Sequence, residues 1–426
     1  VSVVTTADGH DHAPPAAEVG ARRPRIVAFD LLRGFFLFVI ITNHLHFEPN
    51  LVELVTGRGA LPASAAEGFY LVSGIMVGYV HLPSAARDGL GLVWIRVWRR
   101  ALLIYAAAVL LVLMRLVVLH LRGNPLSWDG VVDVLLLGGA NGQPADFLAL
   151  YAVAMLFAPF VIWAALHRLE WIAVLIAGVP WAVTQSVGGL AADDTMKLAW
   201  PLLFTIGIVF GCRWPEIIVA WRRRSAATRR AVEVGLIVIL VVSVLGFEFV
   251  IFWNHHILVA SADRLPGWFS EFLFGIERAF LEHWTWFEPW QAKATLAPGR
   301  LVIGAIWFAG LLFVARRWGP ALDRALGGLF TTYGRHTLAG YVLHLVLIWC
   351  VYLPTVSMFV RDAANPVLNT LVVIATQVIM VAMVRAWVEL RRAARSMLGR
   401  GRDERMRRHP LQVRRRSSES TMRNQR

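Results

Sequence analysis

The chain has 426 residues; 57% are hydrophobic, only 16% are charged, and the net charge is +14. An ordinary soluble domain is about 45–50% apolar and about 25% charged, which excludes the two or three soluble domains this length would otherwise suggest. Each bilayer crossing takes about 20 mostly apolar residues, and the length is sufficient for many. Strand-like alternation over about ten residues does not recur, so the expectation is an all-α polytopic membrane protein and not a barrel.

In chain order, residues 1–25 are polar and rich in Ala, Pro and charged pairs, and they read as a disordered cytoplasmic tail. His10 and His12 belong to that tail, and no metal site is expected from them. The membrane domain is expected at 26–390, with about ten spans near 27–47, 66–82, 101–121, 146–168, 171–188, 198–212, 231–252, 300–315, 335–353 and 367–388. The first span is expected to serve as an uncleaved anchor. The Arg-rich stretch 391–426 reads as a basic cytoplasmic tail against anionic lipid.

Lys and Arg sort by side of the membrane. With the N-terminus inside, the outer segments hold only Arg58, Arg122, Lys197, Arg264, Arg278, Lys293, Arg300 and Arg361, and the spans hold Arg33 and Arg115. An odd number of spans would put a basic end outside, so both termini are expected in the cytoplasm of a plasma (inner) membrane protein. The basic pI thus reports topology; no nucleic-acid motif is present. Neither is there a phosphate loop, a dinucleotide fingerprint or a metalloprotease motif. Cys212 and Cys350 fall toward opposite ends of their spans, so no disulfide is expected.

Ionisable groups in hydrocarbon are costly and mark functional sites. The first span carries Asp30, Arg33, Asn43 and His44. Arg33 and His44 are eleven residues apart, which puts them on one helical face, within about 20°, and about 16 Å apart along the axis. Asp30 is placed to pair with Arg33. Glu67 opens the second span at about the depth of His44, where it can orient the imidazole or simply cap the helix. Ser73 and Gly74 suit close helix packing. Arg96, Arg99 and Arg100 form a cytoplasmic cluster matched to a polyphosphate, or an ordinary inside-positive flank. The outer segment 253–299 holds Trp253, Trp268, Phe269, Trp284, Trp286, Phe287 and Trp290, which fit an interfacial belt or a platform for sugar rings. His344 in the ninth span reads as a buried supporting histidine.

Arg33 and His44 resemble the Arg-X10-His signature of the acyltransferase-3 class. More closely, the chain resembles the OpgC family of membrane acyltransferases, whose namesakes succinylate periplasmic glucans. The resemblance runs through Phe29–Gly34, Asn43-His44, Pro49, Asn50, Glu67, Phe69 and Ser73-Gly74, then Tyr151, Trp200 and Phe204. It continues through Lys293, Pro298, Arg300, Gly334–Leu338, Tyr341 and His344. Asn43 stands where an acid is expected, and Pro201 where a polar residue is expected.

The resemblance implies transfer of a succinyl or acetyl group from cytoplasmic acyl-CoA to a hydroxyl of an extracytoplasmic glycan or glycolipid. In that reading succinyl-CoA or acetyl-CoA is a co-substrate and no cofactor or metal is permanently bound. His44 is the general base, Glu67 orients it, and Arg33, Arg96, Arg99 and Arg100 hold coenzyme A. Lys293 or Arg300 would grip an acyl carboxylate or the acceptor. The competing expectation is a secondary transporter with a polar path between helices, but two related halves with interrupted helices are not evident.

Overall fold

The computed structural model describes residues 23–48, 50–57, 61–125, 146–250, 253, 263–356 and 365–408. Among them every regular element is a helix. In chain order these are α1 (Val27–Leu45), α2 (Glu53–Thr56), α3 (Ala65–Asp88), α4 (Leu90–Leu121), α5 (Asp146–Leu166), α6 (Glu170–Ser186) and α7 (Ala192–Arg222). They continue with α8 (Ala226–Phe247), α9 (Gly267–Gln291), α10 (Pro298–Arg317), α11 (Gly319–Ala325), α12 (Leu329–Arg335), α13 (Thr337–Leu347), a π-helical stretch Ile348–Val356, and α14 (Pro366–Arg408).

Eight helices among the described residues are long and apolar enough to cross a membrane, or nine if the bent pair α12–α13 is one span. That is a polytopic all-α membrane protein. The remaining one of the ten expected spans, 171–188, falls on α6, which has 17 residues. At 1.5 Å per residue α6 extends about 26 Å, the short end of a crossing. It reaches from Glu170, paired with Arg213 of α7, to Gln185, bonded to the Thr295 carbonyl beside α10. Arg23, assigned to the tail by its composition, is instead docked. Its guanidinium donates to the carbonyls of Tyr79 (3.3 Å) and Gly211 (3.2 Å) and lies over the Tyr79 ring. Pro49, Arg58, Arg361, His10, His12 and the tail beyond Arg408 lie outside the described residues, and α14 runs on helically past 391.

The tightest seam joins α3 and α7. Gly74 and Gly78 on one helix face Gly207 and Gly211 on the other, each pair four residues apart. A Cβ added at Gly78 would stand 2.0 Å from the Ile208 carbonyl oxygen, and one at Gly211 would stand 2.0 Å from that of Ile75. Only hydrogen lets the two backbones approach so closely, the small-residue packing that membranes favour. Gly78→Val is expected to destabilise the protein by about 1–3 kcal/mol through overpacking, whereas Gly235→Ala, with open space at its Cβ, is expected to be neutral. Thermal unfolding in detergent distinguishes the two. Equal stability would mean the seam can open without cost.

A second close approach shapes the site. A Cβ at Gly34 would meet the Phe330 carbonyl oxygen at 1.9 Å, and one at Gly334 would meet that of Asp30 at 1.8 Å. These pairings run α12 antiparallel to α1. The chain then bends by 102° at His336, and α13 turns back alongside α1, so that residue 334 sits near Arg33 and residue 344 near His44. A buried polar network secures this arrangement. Tyr333 Oη donates to Gln377 Oε1 (2.9 Å), and Gln377 Nε2 donates to Thr42 Oγ1 (3.1 Å) and to the Phe38 carbonyl (3.2 Å).

Candidate active site

His44 lies in the last turn of α1, and the left-handed His46 ends the helix just after it. Its Nδ1 is 3.0 Å from His344 Nε2, and the two rings stack at 5.3 Å with 20° between their planes. His344 is fully buried, at 0% exposure, while His44 is only partly buried. Tyr341, one turn before His344, sets its ring edge against both imidazoles. Of the stacked pair, His44 is the more accessible ring.

The bond restricts the tautomers. One of its two nitrogens carries the proton and the other accepts it. When His44 Nδ1 donates to His344 Nε2, the free Nε2 of His44 has a lone pair available as a base. That is the arrangement in which a buried partner orients a catalytic imidazole.

The expected orienting residue, Glu67, sits elsewhere. Its carboxylate accepts from Arg300 Nε at 2.6 Å and from the Ser64 backbone N–H at 3.0 Å. Of the two readings of Glu67, the structure thus shows the cap, together with a buried ion pair on α10, and His344 stands in the orienting position. Arg300 is 4% exposed and also donates to the carbonyls of Leu61 (3.4 Å) and Gln291 (3.1 Å). Its charge is thus compensated by Glu67, while its Nη2 has no partner. Lys293 is exposed. Its loop is held to α6 by Trp181 Nε1, which donates to the Leu296 carbonyl (3.0 Å), and by Gln185 Nε2, which donates to that of Thr295 (2.8 Å).

Arg33 pairs with Asp30 at 3.0 Å and donates to the Gly334 carbonyl, which also accepts from Thr337 Oγ1 at 3.0 Å. The residue therefore ties α1 to the break in the bent span. Its Nε is buried with no hydrogen-bond partner. Asp30 also binds Arg25. Arg33 lines a cavity of about 180 Å³ together with Ser73, His81, Arg100, Tyr151 and Tyr341. This cavity joins the arginines at the α3–α4 end of the bundle to the tyrosine that touches both histidines. Of the three expected coenzyme A arginines, only Arg100 lines it. Arg96 is paired with Asp88 at 3.0 Å, and Arg99 is exposed.

On the neighbouring face of α1, Asn43 accepts from Thr56 Oγ1 at 3.4 Å and borders a second cavity of about 520 Å³. Among the described residues, no group of three His, Cys, Asp or Glu could hold a metal. Arg115, an intramembrane cation, lies 5.9 Å over the Trp349 ring. On α9, Trp268, Phe272, Trp286 and Trp290 are exposed, which suits a helix lying in the interface. Sequence reasoning missed His81 and Gln377. His81 shows only through the cavity it lines, and Gln377 only through its bonds to Tyr333 and α1.

Fold and site together define a polytopic membrane protein with a stacked histidine pair against Tyr341, which lines the Arg33 cavity. A family model described as OpgC protein matches residues 25–391, and the chain belongs to the OpgC family. That membership makes it a membrane protein of the acyltransferase type. No curated protein and no solved structure matches the chain.

Proposed function

We propose that the protein is an acyl-CoA-dependent O-acyltransferase of the plasma (inner) membrane, transferring a succinyl or acetyl group to a hydroxyl of an extracytoplasmic glycan or glycolipid. The observation that carries this reading is the His44–His344 pair packed against Tyr341, which lines a cavity with Arg33 and Arg100. Both termini lie in the cytoplasm, which puts Arg100 on the donor side. Coenzyme A phosphates meet Arg100, with Arg96 and Arg99 adding charge to the approach. The pantetheine arm follows the cavity past His81 and Arg33, whose unpaired Nε–H is free to hold a carbonyl of the arm. The thioester then reaches Tyr341 and His44.

His44 Nε2 takes the proton from the acceptor hydroxyl as its oxygen attacks the thioester carbonyl carbon. The C–O bond forms, the C–S bond breaks, and the thiolate of coenzyme A recovers the proton from His44. His344 keeps His44 in the working tautomer. Lys293, at the mouth, steers an anionic acyl group or acceptor, the role first assigned jointly to it and Arg300.

The test supplies vesicles containing the full chain with succinyl-CoA or acetyl-CoA and an envelope extract, then follows free thiol and the mass of the product. Acceptor-dependent thiol release with an acyl-sized mass increment is expected. Thioester consumption that does not depend on acceptor would overturn the reading. Arg100→Ala is expected to raise KM for acyl-CoA by about tenfold with kcat little changed, the pattern of lost uniform binding. An unchanged KM would remove Arg100 from the donor path.

A further inference from the structure

The second cavity has a polar end and a long apolar shaft. Phe35 and Val39 of α1, Leu71 of α3, Val244 of α8, and Trp307 and Leu311 of α10 form the shaft. The polar end gathers Asn43, Ser64, Glu67 and Arg300. On α1, α3 and α10 alike the polar residue lies at the same end of the cavity, and from Arg300 to Leu311 the shaft is about 16 Å long. Bordering it on α8, Val241 and Leu245 are 46% and 57% exposed, so one wall meets the lipid-facing surface of the bundle.

The polar end is unfinished. Arg300, which lines it, has its Nη2 buried without a partner. A buried cationic N–H left open suits a hydroxyl, whose oxygen accepts from it. An oligosaccharide filling the whole cavity would strand its hydroxyls against the apolar shaft. A hydrocarbon chain has no such conflict, and it can enter sideways from the bilayer.

We propose that this cavity holds the hydrocarbon chain of a lipid-anchored acceptor, with its hydroxyl-bearing head at Asn43 and Arg300. This deepens, and rests on, the acyltransferase reading of His44, the residue next to Asn43. The donor then occupies the Arg33 face of α1 and the acceptor the Val39–Asn43 face, and the two meet at His44. Because lipid tails are equally at home in the bilayer, binding there is selected by the polar end and not by the shaft.

The test gives acyl-labelled acyl-CoA to vesicles containing the full chain together with an envelope extract, and partitions the product between organic solvent and water. Label in the organic phase that moves to water after mild acid detaches the head from its chain is the expected result. Label in water-soluble glycan from the start overturns the lipid anchor while leaving the acyltransferase reading intact. No transfer at all overturns both.

Gly304→Phe serves as a second measurement. Gly304 lines the cavity, and a Cβ there meets only the Ala63 Cβ, at 3.9 Å. The substitution is expected to raise KM for the extracted acceptor by at least about tenfold with the KM for acyl-CoA and the melting temperature unchanged. Loss of melting temperature and activity together, without that KM split, would mean the shaft holds an ordinary structural phospholipid, which overturns the proposal.

Discussion

His44→Ala is expected to lower acyl transfer by about 10²–10⁴-fold, the usual worth of a positioned general base, while leaving the melting temperature close to that of the wild type. The small structural cost follows from its place in the last turn of α1 and its partial exposure. His344 is its counterpart, fully buried and 3.0 Å from His44. His344→Phe keeps the ring and the volume but removes the nitrogen that receives the His44 proton. It is expected to lower kcat less than His44→Ala and to change the pH–rate profile, because an unheld imidazole samples both tautomers. If His44→Ala transfers acyl groups at the wild-type rate, the base is elsewhere. If His344→Phe leaves the pH profile untouched, the pair has no catalytic meaning.

The second large effect lies at the Glu67–Arg300 pair, whose side chains are 9% and 5% exposed. Glu67→Ala leaves a buried guanidinium without its counter-charge and is expected to destabilise the protein by about 3–5 kcal/mol. The double change Glu67→Leu with Arg300→Met removes both charges and is expected to recover most of that loss, since an apolar pair of similar size often replaces a buried ion pair without penalty. Unfolding in detergent measures both variants. A loss below about 1 kcal/mol for Glu67→Ala would put the pair in the class of exposed salt bridges. The double variant separates structure from binding: restored stability with a raised KM for acceptor assigns Arg300 to the acceptor site as well as to the fold.

The polar residues of the site were legible because hydrocarbon makes each of them conspicuous. Asp30, Arg33, Asn43 and His44 stand out from the apolar run of α1, and helical periodicity alone puts Arg33 and His44 on one face. The fate of Glu67 was not legible in the same way. A carboxylate at the start of a helix, at the depth of a histidine, satisfies either partner, and the choice was made by Arg300, 233 residues away in the sequence. His344 shows the same limit. It is a single histidine in an apolar helix until the bend at His336 brings it to His44.

The donor arginines show a further one. Arg96, Arg99 and Arg100 are equivalent in composition, but α4 is a continuous helix from Leu90, and only Arg100 faces the cavity. By itself the sequence determined that the chain lives in a bilayer, that it is helical, and that one face of α1 carries a base and a cation, because these depend on local hydropathy and a fixed helical period. Only the tertiary structure decided which partners those groups have and that two cavities flank α1. These depend on how distant helices pack, and close approaches such as Gly78 to Ile208 and Gly334 to Asp30 set that packing to within an atom's radius.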